Sequence, residues 1–214
     1  MTFNMDTGNT GSDGPWLQWS ARGTQDGLIP ARSFYIREES GKTLFEGFSG
    51  NGVILDIEKM KTGWQRSEGV IGQAPDWRWN ATVTQMAPQP GDDFKKGFSI
   101  PCAIGGGKTA TWEQAGAAVW NALTDLVPHL QQQPATGQLP LVRLVETKLQ
   151  QFKRGSTVQP VLQVVKWVPR PDCLKEGAAA GIATDPAPQP AQQAAAPQPA
   201  PQPAPANIPV DAEF

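Results

Sequence analysis

From Pro186 to Ala206 the chain is written in Pro, Ala and Gln alone, and Ala-Pro-Gln-Pro recurs from Ala187, Ala196 and Ala200. A segment without large aliphatic or aromatic anchors cannot offset its ordering entropy by burial. Its prolines also exclude helix and favour extended polyproline geometry. A folded core must therefore come from the residues before it. At about 3.1 Å per residue, the segment can carry its end on the order of 60 Å from a folded body. That end reads Asn207-Ile208-Pro209-Val210-Asp211-Ala212-Glu213-Phe214, which sets two acidic side chains and a terminal ring beside the last carboxylate. The pattern is that of a peptide displayed for capture by another protein.

The remaining length suits one domain with one core. Met1 to Gly14 is rich in Gly, Asn, Thr, Ser and Asp and reads as a flexible arm. The expected organisation is an arm over 1–14, a β-rich domain over 15–175, a disordered linker over 176–206 and an interaction tip over 207–214.

Between residues 15 and 104 the apolar residues come in short runs broken by Gly, Asn and Pro, the texture of β-structure. Strands are expected over 16–22, 33–39, 43–48, 52–60, 69–73, 78–86 and 97–104. Thr111-Trp112-Glu113-Gln114 has capping-box spacing, and Ala115, Val119, Leu123 and Leu126 follow at helical intervals, so a helix is expected from there to Pro128. Two further β segments, over 141–152 and 158–168, are joined by Lys153-Arg154-Gly155-Ser156-Thr157 and predict a hairpin with a basic tip. Many strands, one helix and a final hairpin predict a mainly β fold, an OB-like barrel with additional strands, one helix and a disordered C-terminal tail.

The net charge is −2, but three of the acids, Asp185, Asp211 and Glu213, lie in the tail and leave the body close to neutral. The hairpin is basic: Arg143, Lys148, Lys153, Arg154, Lys166 and Arg170 stand against Glu146 alone. The first 30 residues lack a basic start followed by an apolar run, and no stretch nears the roughly 18 apolar residues that span a bilayer. The expectation is a cytoplasmic protein without membrane contact. Cys102 and Cys173 read as two reduced thiols, and with one histidine in the chain no zinc site is expected.

Gly105-Gly106-Gly107-Lys108-Thr109 resembles part of a phosphate-cradling loop, but Cys102 stands where that loop needs another glycine. A flexible turn ahead of a helix is the better reading. His129 sits between Pro128 and Leu130, and the adjacent acids Glu38-Glu39 and Asp92-Asp93 would face opposite sides of a strand. Neither supplies a catalytic constellation, so no enzyme activity and no cofactor are expected.

Eight tryptophans against one tyrosine point elsewhere. Several lie beside basic residues: Trp64 near Arg66, Trp77 and Trp79 around Arg78, and Trp167 after Lys166. Single strands of nucleic acid are held by flat side chains that stack on bases and cations that track phosphates. Alternation along a strand would put Trp77 and Trp79 on one face, with Arg78 pointing away. The candidate nucleic-acid-binding residues are therefore Trp64, Arg66, Trp77, Arg78, Trp79, Lys148, Phe152, Lys153, Arg154 and Lys166. Trp112 and Trp120 are expected in the core.

The plan of a body, a Pro-rich linker and a short acidic tip ending in Phe214 resembles the single-stranded-DNA-binding proteins of bacteria and their phages. Asp211 and Glu213 match that family's tail acids in kind, and Ile208-Pro209 stands upstream of its usual place. The resemblance covers about the last 30 residues. It implies a partner for single-stranded DNA that recruits replication or recombination proteins through Asp211, Glu213 and Phe214, and it is compatible with a homo-oligomer. The alternative is a phage structural or assembly protein whose tail is a spacer.

Overall fold

The computed structural model describes residues 14–67, 74–152 and 155–175. The arm before Gly14, the strand expected over 69–73, Lys153, Arg154, the linker and the tip lie outside the described residues.

The described chain is mainly β: ten strands form one mixed sheet that curls into a half-barrel, with a single α-helix. The strands are β1 (Trp16–Ser20), β2 (Ser33–Glu38), β3 (Gly41–Phe45), β4 (Val53–Leu55), β5 (Lys61–Arg66), β6 (Asp76–Trp79), β7 (Lys95–Gly105), β8 (Lys108–Ala115), β9 (Gln138–Phe152) and β10 (Gly155–Pro169). The helix α1 (Ala117–Leu130) lies between β8 and β9. Strand order along the sheet is β10-β9-β4-β7-β8-β1-β2-β3, with β5 and β6 branching from β7.

β7 is the spine. Its first half pairs with β5, from Gln65 opposite Lys95 to Lys61 opposite Ser99, and its second half pairs with β4 at Cys102 and Ala103. A 3-10 turn at Ile57–Lys59 separates β4 from β5, so the two act as one interrupted strand along β7. On its other side β7 pairs with β8 over nearly its whole length. The period-2 pattern explains the layering. Phe98, Ile100 and Cys102 are fully buried on the inner face, whereas Lys95, Gly97 and Ser99 alternate with them on the outer face.

The core is aromatic. Trp112 on β8 meets Phe98, Phe34 and Phe48 at ring-centroid distances of 4.8, 5.6 and 5.7 Å, all near edge-to-face. Trp19 on β1 joins through Phe34 at 4.9 Å. Helix α1 closes the core with Val119, Leu123, Leu126 and Leu130, a stripe at helical spacing. Burial also pushes the Cys102 thiol up to about 12, the behaviour of an inert core thiol.

Three expectations need correction. Thr111–Gln114 is not a helix start, because those residues belong to β8, where pairing with β7 and, in parallel, with β1 outweighs the local capping pattern. The helix begins after Gly116, whose φ of 123° favours glycine and turns the chain out of the strand. Pro128 lies inside the helix, which runs on to Leu130; so near the end, its missing N–H forfeits one bond without breaking the helix. Gly105, Gly106 and Gly107, all at positive φ, form the tight β7–β8 hairpin turn instead of leading into the helix. In addition, a strand the sequence reading missed, β5, occupies 61–66, and the strand expected over 78–86 is the shorter β6.

Candidate nucleic-acid interface

The outer face of β6, β5, β7 and β8 carries the most distinctive surface of the body. Gly63 on β5 stands opposite Trp79 on β6 and opposite Gly97 on β7, while Trp77 stands opposite Gln65. Trp77 and Trp79 project from the same side of β6 and stack on each other, with ring centroids 4.2 Å apart and planes 9° from parallel. Two glycines across the strand pair clear the strip on which the rings lie. A Cβ on Gly97 would fall 2.7 Å from both Trp77 Cη2 and Ala115 Cβ. Both rings are half-buried, so part of the stack stays exposed.

Beneath them lies Glu113, opposite Ser99. Burial pushes its carboxyl above the ordinary range, opposed by Ser99, the Trp77 indole and Lys61. The Trp77 Nε1 faces this carboxylate without reaching strict hydrogen-bond geometry.

Trp64 takes the opposite role from the one expected. It is 7% exposed, its Nε1 donates to the Ala87 carbonyl at 2.9 Å, and the Lys96 ammonium caps its ring at 5.8 Å. On β5 it alternates with Gly63 and so points into the core, closed to a base. Lys96 lies equally far from the Trp120 ring on α1.

Arg66 and Arg78 converge on one acid. Each donates to Asp76 Oδ2 at 3.3 Å, and Arg66 is also 3.7 Å from Asp93 and over the Phe94 ring. Arg78 remains exposed at the rim.

On the hairpin, Lys148 donates to Asp125 of α1 at 2.8 Å, and the buried Gln159, opposite Lys148, donates to the same oxygen. The Lys148 ammonium is the main reason the Asp125 carboxyl lies below its usual range. Lys148 is thereby committed to holding the hairpin against the helix. Lys166 is exposed but pairs opposite Leu141, on the order of 35 Å along the strand from the tip. The structure does not bring it together with Phe152. Phe152 is 42% exposed at the tip.

Phe152 borders a groove of about 630 Å³ that also receives Arg22, Lys95, Gln114 and Thr157, with the first residues of α1 along it. Its wall is the seam between β8, β1 and β10. There the Gln114 amide bonds both the N–H and the carbonyl of Trp19, at 2.8 Å each, and the Trp19 indole donates to the Val158 carbonyl at 2.9 Å. Arg22 donates to the Ser156 carbonyl at 3.1 Å. Arg22 and Lys95 escaped the sequence reading because neither stands beside a tryptophan; the sole hint was the Phe94-Lys95-Lys96 run.

The chain matches no protein-family model, no curated protein and no solved structure.

Proposed function

We propose that the protein binds single-stranded DNA with little sequence preference and recruits replication or recombination proteins through Asp211, Glu213 and Phe214. The observation that carries the binding role is the stacked Trp77–Trp79 pair lying beside a groove with two cations and an exposed ring. Stacking tolerates any base, and cations hold any phosphate, so such a surface favours single strands without reading sequence.

Topology supports an OB-like body. The interrupted strand β4–β5, then β7, β8, α1, β9 and β10, follows the five strands of an OB barrel with a helix ahead of the last two. β4 pairs with both β7 and β9, and β1 inserts at the seam next to β8. In OB folds the face of the second and third strands and the loops after the first and fourth bind oligonucleotides. Here that face is β7–β8, the first loop contains β6 with its tryptophans, and the other is the hairpin tip. No catalytic step and no cofactor belong to this reading.

The test is a titration with a thymidine oligonucleotide of about 30 residues, followed by tryptophan fluorescence at low and high salt, with duplex as control. Quenching by the single strand that weakens with salt supports the reading; a flat trace overturns it. Truncation after Thr184 is expected to keep the binding. A second reading, a structural or assembly protein without a nucleic-acid role, is favoured by the exposed Leu149, Val145 and Val165 of the hairpin; it predicts the flat trace and a stable oligomer.

A further inference from the structure

We infer that the groove between β1, the start of α1 and the β9–β10 tip seats one nucleotide of the bound strand, with its phosphate between Arg22 and Lys95 and its base against Phe152. The inference rests on the single-strand reading and adds a subsite built by a strand outside the five of the barrel.

Arg22 and Lys95 come from opposite sides. Lys95 begins β7 and pairs across to Gln65, which in turn stands opposite Trp77. Arg22 follows β1 and is held toward the hairpin by its bond to the Ser156 carbonyl. That bond uses one guanidinium nitrogen, Nη2, and leaves other N–H donors for an anion. Lys95 is exposed. Two cations lining one cleft, with an exposed ring on its rim, are complementary to a phosphate joined to a base.

The volume, about 630 Å³, lies within the range of clefts that enclose small ligands. The groove also comes close to the tryptophan pair. Ala115 lines it, and Ala115 Cβ and Trp77 Cη2 flank the same point above Gly97. A strand stacked on Trp77 thus runs past Ala115 and Lys95 into the cleft. The wall is stiff, because Gln114 clamps both backbone groups of Trp19 and the Trp19 indole ties β1 to β10.

The experiment compares the salt dependence of thymidine-oligonucleotide binding by the full chain, by the double variant Arg22→Gln/Lys95→Gln, and by a control of equal charge change, Arg32→Gln/Lys108→Gln. The control residues are exposed and do not line this groove. Losing the one phosphate held between them should lower the slope of log affinity against log salt by about 0.7, and the control should leave it unchanged. Phe152→Ala should weaken binding roughly five- to 150-fold. Ultraviolet crosslinking of the unmodified protein to the same oligonucleotide should place thymine on Phe152, a readout that depends on no variant folding. Equal slopes for the double variant and the control, or no adduct at Phe152, would overturn the groove assignment while the wild-type titration still upheld single-strand binding. A flat wild-type titration would overturn both.

Discussion

Gly63 and Gly97 face each other across β5 and β7, and the bare strip they leave is the bed of the stacked Trp77–Trp79 pair. The surface depends on what these positions lack. A methyl group on Gly63 would fall 2.4 Å from the Arg78 carbonyl oxygen, and one on Gly97 would strike Ala115, Trp77 and the Gln114 carbonyl. Backbone cannot yield as a side-chain tip can. Gly97→Ala is therefore expected to displace Trp77 and cost about 1–3 kcal/mol by overpacking, with Gly63→Ala costing more. Urea denaturation gives the stability change, and near-ultraviolet circular dichroism reports the loss of the stacked pair.

Two tryptophans with similar sequence neighbours should respond in opposite ways. Trp79→Ala removes a stacking surface, so it should weaken single-strand binding by about 1–3 kcal/mol with a small effect on melting. Trp64→Ala empties a core site that Lys96 and the Ala87 carbonyl close over, and should destabilise the fold by about 3–5 kcal/mol. Paired fluorescence titrations and thermal melts separate the two. A Trp64 variant that melts normally but binds poorly would contradict its placement.

Glu113 should leave a mark on the pH profile. Its carboxyl is raised by burial, so the folded state holds the proton more tightly than the unfolded chain. Stability then falls as pH rises from the ordinary value of 4.5 through the raised one. Glu113→Gln should abolish that segment of the profile, measured as midpoint denaturant concentration from pH 4 to 8.

Arg170 closes the body beyond β10. It donates to the fully buried Asp56 and, at 2.7 Å, to Glu58, while Glu58 also accepts from the Gly137 amide at 2.7 Å. Arg170→Met would strand the Asp56 carboxylate in the interior and should cost about 3–5 kcal/mol. Glu58 is held below its ordinary 4.5, first by the Gly137 amide and then by Arg170. Its contribution is present above that value and lost as pH falls through the lowered one. Acid titration of Glu58→Gln should show that loss removed.

Much of the architecture is written locally. Alternation with regular Gly and Pro breaks marks β1, β2 and β7, and the Val119, Leu123, Leu126 spacing marks the inner side of α1. The basic hairpin is equally plain, as is the Pro, Ala and Gln segment that has nothing to bury. Other features escape any local reading because they depend on which strand lies alongside. Thr111–Gln114 satisfies both a capping box and an alternating strand, and only the neighbours β7 and β1 select the strand. Trp64 and Trp77 each sit near an arginine, yet the register of β5 against β6 and β7 turns one inward and the other out. Arg22 and Lys95 meet at one cleft from distant points of the chain, and Lys148 is diverted to Asp125 by helix docking. Periodicity is a property of neighbours along the chain, so the sequence carries it. Facing and juxtaposition arise from contacts between residues far apart in sequence, and these exist only once the sheet has curled around its aromatic core.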